Sequence, residues 1–333
     1  MKQILLLLLI FIATNVNAQR SDFKTIDFSR ADKVAKLNEG MSLDNLSLLA
    51  HKLTYSLPTK VEKFRAIYTW VCTNIKNDPK QERIISRKRR GFKNDSISFL
   101  KWNHEYKKIA FKKLLKHKKT MCTGYAYLIK ELCFLANIEC KIIDGYGRSV
   151  FTNIDKLELA NHSWNAVKLN EKWYLCDPTW SSGYVDGRNI FRKEYNEGYF
   201  LTDPVMFAKS HHPLQEKWLL DSTLINTSFV ETPLIYREAY KHQVIPMSPD
   251  KMNVVVKKNT EVKFSFKSLH DTIIDQVSII RIIGNEEKKY KIYDLKTEGA
   301  LTTFKNKFKY KGRFDVHLKT NNEIVATYVM KVE

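Results

Sequence analysis

The 333-residue chain carries 56 Lys and Arg against 36 Asp and Glu, a formal charge of +20, and 44% of it is apolar. That length allows two domains, and that apolar share supplies real cores, which excludes a disordered chain. The positive balance favours anionic partners such as surface polymers, but zinc-finger spacing, RNP patterns and basic-region heptads are missing, so no nucleic acid partner is expected.

Lys2 followed by the apolar run Ile4 to Ala13 and by Val16-Asn17-Ala18 reads as a secretory signal peptide over residues 1–18, cleaved after Ala18. The expected location is therefore secreted or periplasmic, without a transmembrane anchor. Residues 19–40 are polar and read as a loose lead-in. Leu43, Leu46, Leu49, Leu53 and Leu57 then recur at helical spacing until Pro58. Thr59 and Glu62 have the form of a capping box opening a second helix, with Val61, Phe64, Ile67, Tyr68, Val71 and Ile75 on one face. Residues 77–103 show no regular period, and Ile109, Ala110 and Leu114 suggest only a short helix.

Cys122 stands at the start of the next helix, whose buried face is Tyr125, Ala126, Ile129, Leu132, Cys133 and Ala136. Amides of a first helical turn carry partial positive charge, which favours a thiolate over a thiol. A cysteine alone is more often a small buried apolar residue. Five cysteines, at 72, 122, 133, 140 and 176, show no metal-ligand spacing, and their odd number leaves at least one outside any internal pairing.

Strand patterns follow: Cys140 to Asp144, then His162 to Leu169 and Lys172 to Asp177 as a hairpin turning at Asn170-Glu171. That turn sets Leu169 opposite Lys172 and Trp164 opposite Asp177. His162 then shares a face with Trp164, diagonally across from Asp177, about 7–8 Å away at the backbone and within reach of the side chains. A slip of one residue would put them on opposite faces. Histidine held by aspartate is the orienting half of a thiol triad.

The blocks Cys122-Thr123-Gly124-Tyr125-Ala126, Asn161-His162-Ser163-Trp164-Asn165-Ala166-Val167 and Trp173 to Trp180 resemble the three core motifs of the transglutaminase-like superfamily. Thr120-Met121 departs from the usual Gly-Val before the cysteine. Tyr199 to Pro204, Phe207, His211-His212-Pro213 and Trp218 to Leu220 are similar to its kyphoscoliosis peptidase-like branch. The resemblance implies an α+β, papain-like domain over residues 41–220, with Cys122 as nucleophile, His162 as base and acid, and Asp177 as its orienter.

Residues 221–250 contain three prolines and read as a connector. From 251 to 333 alternation dominates, in runs 253–266, 276–283, 289–294, 302–310, 313–319 and 323–332, as in a small immunoglobulin-like β-sandwich. No Gly-rich phosphate loop and no calcium loop appear, so neither cofactor nor metal is expected. The function expected is a peptidase or amide hydrolase acting on a protein or peptide of the cell envelope through a thioester. The alternatives are a cross-linking transglutaminase and a non-catalytic envelope binding protein. Trp102 is the upstream candidate for a second oxyanion donor.

Overall fold

The computed structural model describes residues 20–150, 152, 154–225, 228–269 and 274–333. The signal-peptide reading over residues 1–18, with its cleavage after Ala18, therefore lies outside the described residues. No helix among the described residues is long and apolar enough to cross a membrane.

A single turn at Arg20–Phe23 and helix α1 (Ser29–Leu37) precede α2 (Leu46–Thr54) and α3 (Lys60–Asn74). The capping box forms: the Thr59 side chain receives the Glu62 amide while Glu62 reaches back to the Thr59 amide. The lead-in is not loose. Phe23, Ala31 and Ala35 are buried, and Asp32 grips the buried Arg65 of α3 with both carboxylate oxygens, at 2.7 and 2.9 Å. Few apolar residues serve as anchors there, so the segment reads as polar although it is fastened.

The region that showed no period forms a helical hairpin, α4 (Pro79–Gly91) and α5 (Ser96–His117). Only Gln81 of α4 and only Phe99 and Leu114 of α5 are fully buried, so neither helix carries an apolar stripe for periodicity to find. Asp78 and Asp95 cap the two helices through the Gln81 and Ser98 amides. Between residues 79 and 117 stand thirteen Lys and Arg against three acids, half of the chain's net +20. Short parallel strands β1 (Lys76–Asn77) and β2 (Lys119–Thr120) close the base of this hairpin. Asp78 donates its amide to the Thr120 carbonyl, which sets α4 beside the residues that lead into Cys122.

Helix α6 (Cys122–Leu135) packs on a four-stranded antiparallel sheet of β3 (Cys140–Gly147), β4 (His162–Leu169), β5 (Lys172–Cys176) and, after α7 (Pro178–Ser182), β6 (Gly183–Val185), β7 (Phe191–Lys193) and α8 (Pro204–Phe207), strand β8 (His211–Pro213). The sheet order is β5-β4-β3-β8. Hairpin β4–β5 turns on Asn170 and Glu171, both in the left-handed region at φ 47° and 63°, and pairs Leu169 with Lys172 through to Asn165 with Cys176. The register is the expected one. It stops one pair short of Asp177, whose amide goes to the Tyr199 carbonyl instead.

The C-terminal part is an all-β, immunoglobulin-like sandwich. It begins earlier than the alternation suggests: β9 (Leu234–Ile235), α9 (Arg237–Lys241) and β10 (Val244–Ser248), within the stretch read as connector, are built into it. β9 pairs with the last strand, and Ile235, Tyr240, Val244 and Ile245 are buried in its core. Pro246 fits because β10 is an edge strand. The run 253–266 divides at a turn into β11 (Asn253–Val256) and β12 (Glu261–Ser268), which join different sheets. β13 (Val277–Ile283), β14 (Glu286–Lys289), β15 (Tyr293–Glu298), β16 (Leu301–Lys307), β17 (Gly312–Thr320) and β18 (Glu323–Val332) complete the orders β10-β12-β16-β15 and β11-β18-β17-β13-β14.

The two parts share contacts. Tyr199 and Met206, from the stretch before the sandwich, belong to its core, and the Tyr199 ring stacks on Tyr240 at 4.1 Å. Buried Arg148 donates to the carbonyl of Thr232 at 2.6 Å.

Candidate active site

Cys122 opens α6, His162 opens β4, and Asp177 lies between β5 and α7; the fold brings the three together. Asp177 is wholly buried and caps α7: Oδ1 receives the amides of Thr179 and Trp180 at 2.8 and 3.2 Å. Its other oxygen, Oδ2, receives His162 Nε2 at 2.8 Å. Tyr68 of α3 steadies the loop from behind, its hydroxyl directed to the carbonyls of Asp177 and Tyr199, both at 3.0 Å. With Nε2 of His162 so engaged, Nδ1 is the ring nitrogen left for the thiol of Cys122, with which His162 interacts. Asn165 of β4 donates to the Ala126 carbonyl of α6 at 2.9 Å, fixing the sheet against the cysteine helix. At Gly147 a Cβ would lie 3.0 Å from the Cβ and Cγ of His162, so a bare backbone there leaves the ring its place.

The charges sort themselves. Burial alone would raise the Cys122 thiol, but the hydrogen bond and charge of His162, with the Ser163 amide, bring it below its ordinary value. Burial alone would lower His162, but the Asp177 charge and hydrogen bond, with Cys122 adding to them, push it up to about 10. Burial would raise Asp177; His162 and His211 instead hold it well below the usual carboxylate range. These shifts favour a thiolate facing an imidazolium facing a carboxylate. Burial drives the thiols of Cys72, Cys133 and Cys176 the opposite way, upward. All five cysteines are free and buried, and Cys133 faces the core as expected.

Sequence reasoning missed one member of this cluster. His211, the first residue of β8, directs Nε2 at the same Asp177 Oδ2, 3.1 Å away, and is wholly buried. Its ring stacks on Phe207 at 3.9 Å. Burial lowers it to about 4 despite Asp177, so it is neutral where His162 is charged. One carboxylate balances one cation, and only His162 has a thiolate on its other side. The signal was present in His211-His212-Pro213, but nothing in the local pattern ties residue 211 to residue 177. The facing atoms of His162, Asp177 and His211 lie within 4.8 Å of one another, a spacing a metal ion can use. A cation there would have to displace both hydrogen bonds to Oδ2.

Helix α4 borders the site. Glu82 and Arg89, two turns apart on one face, interact electrostatically with His162 and with Cys122 respectively, and Arg89 Nε is buried without a hydrogen-bond partner. Trp102, the candidate second donor, stacks between Phe99 and Tyr106, at 6.2 and 4.9 Å, under Lys88. Cys122 and His162 are each 8% exposed, so both sit at the edge of solvent.

With this geometry established, comparison with known proteins is direct. A profile of the transglutaminase-like superfamily matches residues 48–178, a span that contains Cys122, His162 and Asp177. Those residues belong to the transglutaminase-like superfamily. Kyphoscoliosis peptidase from Homo sapiens is 32% identical over 201 residues, covering 60% of this chain and 26% of that protein, which puts the transglutaminase-like core in that branch. Hillarin from Drosophila melanogaster is 25% identical over 225 residues, 63% of this chain and 25% of its own. The Lim and transglutaminase domain protein ltd-1 from Caenorhabditis elegans is 24% identical over 243 residues, 68% of this chain and 31% of its own. The chain thus spans about a quarter to a third of the curated relatives it matches. A crystal structure of a TGase aligns with 50% of this chain and 35% of its own, at 13% identity and a TM-score of 0.28. The transglutaminase-like core supports a thiol enzyme of the cysteine-peptidase or acyltransferase type.

Proposed function

We propose that the chain is an exported thiol enzyme that opens peptide or amide bonds through Cys122, His162 and Asp177. The observation that carries this reading is the buried Asp177 holding His162 Nε2 at 2.8 Å beside Cys122, an arrangement whose charges support a thiolate there. The thiolate attacks the amide carbonyl, and the Cys122 amide at the first turn of α6 donates to the developing oxyanion. His162 gives its proton to the departing amine, leaving a thioester on Cys122. Water activated by His162 then releases the acid and restores the thiol. A primary amine in place of water would give a cross-link, so the same groups serve both outcomes.

Hydrolysis is the reading we favour, because the chain carries no acidic loop with calcium-ligand spacing and its similarity runs to a peptidase. The basic α4–α5 hairpin beside the thiol supports an acidic protein, or one presented on an anionic surface polymer, as the partner. The N-terminal apolar run supports export, with the substrate in the cell envelope.

Product analysis tests it. Envelope proteins treated with wild-type enzyme and with Cys122→Ala, in the presence of a labelled primary amine, are compared by mass spectrometry. New carboxyl termini that depend on Cys122 are the expected result. Incorporated amine without cleavage would replace the peptidase reading with the cross-linking one, and no difference between the two samples would support the non-catalytic alternative.

A further inference from the structure

We propose that His211 is a positioning residue for this site, the last link of a proton-ordered chain that runs from Tyr240 through Ser210 to Asp177. The inference rests on the reading of Cys122, His162 and Asp177 as a working triad and assigns the part that the superfamily motifs leave open.

The order of the protons follows from which atoms can donate. Asp177, ionised, has only acceptors, so His211 Nε2 must carry the hydrogen that spans the 3.1 Å to Oδ2. A neutral imidazole has a single N–H, so His211 Nδ1 is an acceptor. The Ser210 hydroxyl, 2.9 Å from Nδ1, must therefore donate to it. Having spent its hydrogen, Ser210 can only accept from Tyr240, whose hydroxyl is 2.5 Å away. The Tyr240 proton has a second acceptor in the Met206 carbonyl at 3.1 Å, and the shorter contact takes it. Every hydrogen in the chain points at Asp177.

The chain has a purpose that His162 cannot serve. His162 must change protonation during turnover, so its hold on Asp177 varies through the cycle. His211 has no thiolate beside it, is walled by Phe207, Trp164 and Trp180, and keeps one proton throughout. It is a constant donor that keeps Asp177 ionised and aimed. Tyr240, the origin of the chain, belongs to α9 and to the core of the sandwich, so the β-domain helps to fix the carboxylate. The titratable groups around Asp177 are His162, His211, Cys122, Cys72, Cys176, Tyr125, Tyr199 and Tyr240, and burial keeps the three tyrosines, Cys72 and Cys176 protonated. The pH response then comes from Cys122, His162 and Asp177, with Glu82 of α4 facing His162 and Arg89 facing Cys122.

The test compares His211→Met, which keeps bulk but has no donor, with His211→Gln, whose amide nitrogen replaces Nε2. Alkylation of Cys122 by iodoacetamide is followed peptide by peptide against pH. In the wild type a neutral plateau ends where His162 loses its proton. His211 and His162 share Asp177 Oδ2, so loss of the His211 donor leaves the carboxylate to His162 alone and is expected to move that upper limb up by about one pH unit in His211→Met. In His211→Gln it should stay near the wild-type position. An unmoved limb in a folded His211→Met variant, or equal shifts in both, overturns the proposal while leaving the triad standing. A wild type with no plateau removes the triad and this inference with it. Ring-nitrogen NMR of the wild type needs no variant: His211 should be neutral at pH 7 with its proton on Nε2, and a charged ring or a proton on Nδ1 overturns the proposal.

Discussion

Asp177→Asn is expected to lower turnover by about 10^4-fold, the scale on which loss of an orienting carboxylate acts in a triad. The wild-type carboxylate accepts four hydrogen bonds, from two amides on Oδ1 and two imidazoles on Oδ2. Asparagine has one oxygen and one NH2 group. Whichever way it turns, the NH2 meets two donors, amides on one side or imidazoles on the other. Stability should fall by roughly 3 kcal/mol, because the site is fully buried and cannot recruit water. Without the anion His162 loses the main cause of its raised pKa, so the imidazolium and the thiolate that faces it both fade. Denaturant melts and turnover measured on one preparation check the two effects. A variant as active as wild type would show that the carboxylate does not orient His162.

Cys122→Ala is expected to remove turnover altogether, a loss on the order of 10^6-fold, since members of such a unit fail together when the nucleophile goes. Stability should change far less. The thiol makes no core contact comparable to those of Cys133 or Cys176, and a small apolar residue suits the first turn of α6, so a change within about 1 kcal/mol is expected. The two variants therefore separate chemistry from folding: Asp177 serves both and Cys122 serves chemistry. Equal losses of stability in both would contradict that division.

Much of the site's geometry was legible because a two-residue turn leaves little freedom. Asn170 and Glu171 fix the β4–β5 register, and the register decides that His162 and Asp177 meet. The transglutaminase-like core was legible for a different reason, three motif blocks in order around Cys122, His162 and Asp177. What escaped notice lacked an apolar pattern. α4 and α5 are held by caps and by rows of aromatic and cationic side chains, so they look irregular in sequence. The segments 20–40 and 234–248 are secured by a few small or isolated apolar residues, with Arg65–Asp32 and the β9–β18 pairing completing the attachment. His211 escaped because its role depends on a contact 34 residues away and on a three-residue strand. Tyr240 escaped because its hydroxyl acts through two intermediaries.

The central claim is a thiolate on Cys122 at neutral pH, and the rate of its alkylation by iodoacetamide against pH tests it most directly. The sign follows from the two shifts: a lowered thiol forms its anion below the ordinary cysteine range, and a raised His162 keeps its proton until about 10. The predicted profile is a plateau that begins below the ordinary cysteine range and is lost in His162→Ala. A single rise centred near 8.5, the value of an unassisted thiol, and identical in His162→Ala would contradict the account.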